Sequence, residues 1–478
     1  MEETHRKKSL FLSFLMLTSV MVGLVGLMPT AVAANETTSG TITGTEVWSG
    51  SHTLTGSVIV GTGANLIVQP GTTVTMPNGT IIDVRGGLCA GDVACGANGM
   101  ASNSSRITFN WQDPANASAT GSCAGLFNNQ HYNRDPSCNE GILLRSTVDV
   151  GATKLNHVSI TNAYGMPRWV SEISEVRYGA IVAQGSSPTM TGLKFTGINT
   201  TSLLILDLGR PDIVGGEFTV GDDETSLVGS AIQAYGAGSV LQPLMIDSPV
   251  FTGTDNGCGQ NDDGRHVLWV EESFVNVQHA VIDNGDYGIR LDDSAGHVSS
   301  STINTACNGI DVNNKKTAGN NVAYKLIIED NKVTTDERSP LTAFNFAWVD
   351  FNNNVIDGAS GGSGIQISKS QVNVNGGSIG PIGGWNGIWS IGESDVRVEN
   401  VTIQDTAKEP IIAGEYHFGD SGWNVPSPSE NRMYVANSIL SSDGGECTGQ
   451  KAWGGDFPCP GVHAFRSSLT LYNNDIDI

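Results

Sequence analysis

Pairs of apolar residues five positions apart recur along most of this chain, each with a bend-forming residue two places after its first member. The pairs are Leu155/Ile160, Met190/Phe195, Ile213/Phe218, Ile246/Phe251, Val277/Ile282, Val298/Ile303, Ile328/Val333, Phe351/Ile356, Val374/Ile379, Val398/Ile403, Val435/Leu440 and Leu471/Ile476. The intervening residues are His157, Gly192, Gly215, Ser248, His279, Ser300, Asp330, Asn353, Gly376, Asn400, Asn437 and Asn473. None is apolar, and most are types that tolerate a left-handed or tightly bent backbone. Each unit therefore reads as a short strand, a sharp corner and a second strand.

Several pairs have another apolar residue two places earlier, as at Val275, Leu326, Val349, Val372 and Val396. That alternation marks a strand with one buried face. Consecutive units stand as close as 21 residues, from Val277 to Val298, and as far apart as 37, from Val398 to Val435. A repeat of about 22 residues with insertions is too short for helical solenoids, and neither the leucine-rich nor the propeller signature is present. Three short strands per coil suit this length.

The segments Gly288-Ile289-Arg290-Leu291, Gly309-Ile310-Asp311-Val312, Gly364-Ile365-Gln366-Ile367 and Gly387-Ile388-Trp389 carry a resemblance. Over residues 45–478 the chain resembles the right-handed parallel β-helix of the pectin-lyase-like superfamily. The resemblance implies an all-β solenoid of about 13–16 coils, whose units bury their inward faces on one another. It implies no single activity, because that superfamily includes lyases, hydrolases and adhesins.

Composition agrees with strands and turns. There are 60 glycines in 478 residues, and only 15% of residues are charged. The net charge of −23 comes without a basic run, which excludes nucleic acid as a partner. Residues 1–33 read as a signal peptide or uncleaved anchor: Arg6, Lys7 and Lys8, an apolar run from Leu10 to Met28, then Ala31-Val32-Ala33. Residues 34–44 read as a polar linker. Inserted loops are expected at 112–140, 164–178, 222–241, 253–266, 413–431 and 442–460. A secreted or cell-surface location follows, and the eight cysteines fit it. Cys89/Cys95, Cys123/Cys138 and Cys447/Cys459 are expected to staple loops, with Cys258 and Cys307 left to pair across coils. Sequons at Asn35, Asn78, Asn103, Asn116, Asn199 and Asn400 permit glycosylation.

Arg290, Gln366 and Trp269 each stand eight residues before the first apolar member of their unit, Asp311 and Trp389 hold the third place of their Gly-Ile-x-x strands, and the five should form one outward column. Arg290 and Asp311 then lie on adjacent coils, where an ion pair accounts for them without catalysis. Asp292 and Asp293 are expected in the turn after the Arg290 strand. Paired carboxylates could act as acid and base, and Arg290 is of the type that the resembling polysaccharide lyases use as a base. Trp269, Trp385, Trp389, Trp423 and Trp453 are candidates for stacking on sugars. Asp262 and Asp263 are the calcium candidates, and no other cofactor is expected. The chain is accordingly expected to be a non-catalytic rod that binds a glycan or protein through its loops. The alternatives are a polysaccharide lyase or hydrolase acting on an extracellular, acidic polymer, and a structural spacer that associates end to end.

Overall fold

Alternating inward apolar and outward polar residues can bury one face only if successive strands stack into a closed prism, and that is the architecture found. A computed structural model describes residues 37–112, 139–198, 200–220, 229–253, 258, 266–314, 325–358, 360–414, 431–442, 461–464 and 467–477. Its strands form three parallel sheets, in which each strand pairs with the equivalent strand of the neighbouring coil. The second and third sheets hold 15 strands each, and the first holds 16 because Met166–Val170 is added to it. The fold is a right-handed parallel β-helix.

The coil containing Val298 shows how sequence becomes structure. Tyr287–Asp292 belongs to the first sheet, Ala295–Ser299 to the second and Thr302–Thr305 to the third. Ile289, Leu291, Val298 and Ile303 point inward and join one apolar cluster that runs from Ile42 to Leu440. Burying each such side chain stabilises the fold by roughly 1.5–3 kcal/mol, spread along the rod rather than concentrated at one centre. Phe195, Phe218 and Phe251 pack on successive coils with centroids 5.2 and 5.3 Å apart, the first pair stacked and the second tilted.

All twelve expected corner residues have positive φ, from 49° at His157 to 69° at Gly376. Beside this corner a polar ladder satisfies the backbone. Asn354 donates through Nδ2 to the Ile328 carbonyl at 2.8 Å and accepts from Asn331 N–H at 3.1 Å. Asn353, with φ 52°, takes the left-handed position beside it. Replacing Asn353 by Val puts a β-branched residue there and should cost about 1–2 kcal/mol. Urea unfolding would register this as a lowered midpoint with an unchanged slope.

Three expectations need correction. The first strand is Gly40–Ile42, inside the stretch read as linker, and it pairs with Val58–Val60. The stretch 222–241 contains Ile232–Tyr235, a rung of the first sheet whose residues are all buried. Burial on both faces removes the polar alternation that would have marked it as a strand. The stretch 164–178 contains Met166–Val170, which pairs antiparallel with the start of Glu175–Gln184. That hairpin lies over outward residues of the first sheet and packs Met166 and Val170 with Leu143, Val182, Leu204, Leu206 and Tyr235.

Disulfides join Cys89 to Cys95 and Cys258 to Cys307. Cys123, Cys138, Cys447, Cys459 and the N-terminal segment lie outside the described residues. No helix among the described residues is long and apolar enough to cross a membrane. Asn78, Asn103 and Asn400 are exposed, whereas Asn35, Asn116 and Asn199 lie outside the described residues.

Candidate functional site

The outward face of the first sheet carries a buried polar and aromatic cluster. Register places Trp269 against Arg290, Arg290 against Asp311, Asp311 against Thr342, Thr342 against Gln366 and Gln366 against Trp389, so the expected column exists. A second column, two residues further along each strand, aligns Tyr235, Glu271, Asp292 and Asn313. At the beginning of the same strands, His266 stands against Tyr287.

Arg290 is held by its own strand. Its Nε donates to both carboxylate oxygens of Asp292, at 3.1 and 2.9 Å, and its guanidinium lies 4.9 Å from the centre of the Trp269 ring. Arg177, from the hairpin, lies 5.2 Å from the same ring and donates to the Tyr235 hydroxyl at 3.2 Å. Burial alone would weaken the hold of Arg290 on its proton, but the charges of Asp292, Asp311 and Glu271 outweigh this and raise its pKa. Arg290 is therefore a fixed cation, and its expected role as a base is corrected on that ground. Asp311 is its neighbour in register, accepts a hydrogen bond from the Thr342 hydroxyl and adds to the field holding the cation.

Asp292 is also relocated. It is the last residue of the strand rather than part of the turn, and it is fully buried beside Arg290. Asp293 takes the corner, with φ 44°, and its N–H donates to the Asn313 carbonyl at 3.2 Å. The doubled aspartate thus divides into a counter-ion and a backbone-turning residue.

His266 completes the cluster. Its ring stands 4.8 Å from Tyr287 and 6.1 Å from Trp269, and only 2% of the residue is exposed. Neither ring nitrogen has a hydrogen-bond partner among the described residues, and the same holds for the Trp269 indole N–H. Burial, assisted by the charge of Arg290, pushes the imidazole pKa well below its usual value, so the ring is neutral. Burial raises the Tyr235 phenol to about 12, and it stays protonated. Solvent reaches the cluster through the side chains of Arg177 and Arg290, at 19% and 14% exposure, with His266 and Asp292 beneath them.

Glu271, His266, Tyr287, Tyr235 and Arg177 were not among the expected site residues. Glu271 and Asp292 each stand six residues before the first apolar member of their unit, and His266 and Tyr287 each stand eleven before it. The register signal was therefore present for Glu271, His266 and Tyr287. Arg177 lies on the hairpin, outside any repeat, and nothing in the pattern points to it. Of the expected stacking residues, Trp385 and Trp389 pack on one another further along the rod, while Trp423 and Trp453 lie outside the described residues. Asp262 and Asp263 also lie outside them, and no group of three or more metal-ligating side chains occurs among the described residues.

No family model matches the chain, and no curated protein matches it. Among solved structures it is similar to the periplasmic alginate epimerase AlgG, with 11% identity over 91% of this chain and 80% of that one, at a TM-score of 0.44. It is also similar to the A-module of the Azotobacter vinelandii mannuronan C-5 epimerase AlgE6, with 9% identity, 88% and 91% coverage and a TM-score of 0.32. A third is the GH136 lacto-N-biosidase from Eubacterium ramulus, with 7% identity, 86% and 62% coverage and a TM-score of 0.26. All three are named as enzymes, and the expected non-catalytic binder is withdrawn, although a likeness at these identities and TM-scores gives this chain no activity of its own. At these identities the likeness bears on the fold alone.

Proposed function

We propose that this chain is an extracytoplasmic enzyme that removes the proton next to a uronate carboxylate in an acidic polysaccharide and cleaves the chain by β-elimination. The observation that carries this reading is the buried imidazole of His266, 6.1 Å from the Trp269 ring over which the Arg290 cation lies. A carbon-bound proton next to a carboxylate is weakly acidic, because the carbanion adds charge to a group already negative. Arginines placed at that carboxylate stabilise the charge as it develops, in a site largely closed to water. Arg177 and Arg290 are the exposed edge of the cluster and would meet the carboxylate first.

The arginine side chains draw onto the carboxylate and uncover His266, which takes the proton at a ring nitrogen. The C–H electron pair becomes the new carbon–carbon double bond, and the glycosidic C–O bond breaks. The departing oxygen takes its proton from a tyrosine hydroxyl, Tyr235 or Tyr287. Hydrolysis is less well supported, because Arg290 engages both oxygens of Asp292 and commits that carboxylate to holding the cation. The test is near-ultraviolet absorbance of unsaturated ends during incubation with polygalacturonate, alginate and a neutral dextran. Absorbance should rise with a polyuronate only, and a flat trace with every polyuronate would refute the proposal.

A further inference from the structure

The Arg290 column continues for four coils beyond the cluster, through Asp311, Thr342 and Gln366, to Trp389. We infer that Trp385, Trp389 and Lys408 form a uronate-binding subsite there, so that the substrate is a polymer lying along the first sheet. This inference rests on the polyuronate reading above. At the usual strand spacing, four coils place the subsite about 19 Å from Arg290 along the rod. A disaccharide at the cluster would not span that distance.

Three observations carry it. Trp385 and Trp389 are half-buried, and their rings stack with centroids 5.7 Å apart and planes 16° from parallel, an aromatic pair of the kind sugar rings pack against. Lys408 holds its ammonium 4.3 Å from the centre of the Trp385 ring and donates its backbone N–H to the Trp385 carbonyl at 3.2 Å, so charge and platform share one corner. The corner is braced below: Asn386 Nδ2 donates to the Glu409 carbonyl and carboxylate, both at 3.1 Å.

The third observation is a repeated pairing. Arg177 and Arg290 over Trp269, Arg338 over Tyr287, and Lys408 over Trp385 set cations on aromatic rings around the first sheet, and Lys325 over Trp348 and Arg397 over Tyr434 do so on the second, in a chain whose net charge is −23. A neutral glycan needs the rings but not the cations. A polyuronate uses both, with its carboxylates on the cations and an apolar ring face on Trp389.

Calorimetric titration of polygalacturonate and neutral dextran into wild type, Trp389→Ala, Trp385→Phe and Lys408→Gln tests this, with circular dichroism confirming that each variant is folded. Polygalacturonate binding should weaken about tenfold in Trp389→Ala and several-fold in Lys408→Gln, as for loss of an aromatic anchor and of one ion contact. The loss in Lys408→Gln should shrink as salt is added. Polymer binding equal to wild type in folded Trp389→Ala and Lys408→Gln, with wild-type turnover intact, overturns the subsite alone. A wild type that neither binds nor converts a polyuronate overturns the elimination reading and this subsite with it.

Discussion

His266→Gln should lower turnover of a polyuronate by about a hundred- to ten-thousand-fold, the contribution typical of a positioned general base. The fold should persist, because glutamine fills much of the volume and the imidazole nitrogens have no partner among the described residues to lose. The pH response should identify the group. Burial holds the folded-state pKa of His266 well below the ordinary value of 6.5. As pH falls through about 6.5 the unfolded chain takes up a proton that the folded chain does not, so folding stability decreases on acidification by up to about 1.4 kcal/mol per pH unit. His266→Gln removes that slope between the ordinary and folded-state values. In wild type the base stays competent through the same window, so the acid limb of the rate profile should lie below pH 6.5. A limb at 6.5 or above would show that an ordinary, solvated histidine sets the rate.

Asp292→Ala should be among the most destabilising single changes in the rod. Asp292 is fully buried and accepts both bonds from Arg290 Nε, whose side chain is only 14% exposed. Removing one partner of a buried pair leaves a charge out of water without compensation, at a typical cost of about 3–5 kcal/mol. Asp311 and Glu271 also act on Arg290, which places the expected loss near 3 kcal/mol. Urea unfolding measures it, and Asp292→Asn, which keeps an acceptor for Arg290 Nε, should lose less. A midpoint equal to wild type in Asp292→Ala would show that Asp311 and Glu271 hold the cation unaided.

The repeat was legible because its determinants are local. A corner at positive φ selects Gly, Asn, Asp, Ser or His, and a strand with one wet face alternates, so Asn353, Ser300 and Gly376 announce themselves in any window that contains them. The Arg290 column followed by counting back from those corners. Cluster membership was harder to read. Ile232–Tyr235 and His266–Glu271 are buried on both faces, so polar residues such as Glu271 sit among apolar ones without the contrast that marks a surface. Arg177 joins the site through an antiparallel hairpin that no repeat encodes. The roles of Asp292 and Asp293 turn on where one strand ends, and sequence pattern leaves such boundaries loose by a residue or two.

Proton abstraction at the Arg290–His266 cluster is most directly tested by nuclear magnetic resonance of a polyuronate incubated with the enzyme in heavy water. The hydrogen on the carbon bearing the carboxylate should disappear at the sites acted on, with olefinic signals in its place, and His266→Gln should leave it untouched. Release of saturated reducing ends with that hydrogen fully retained would contradict the account.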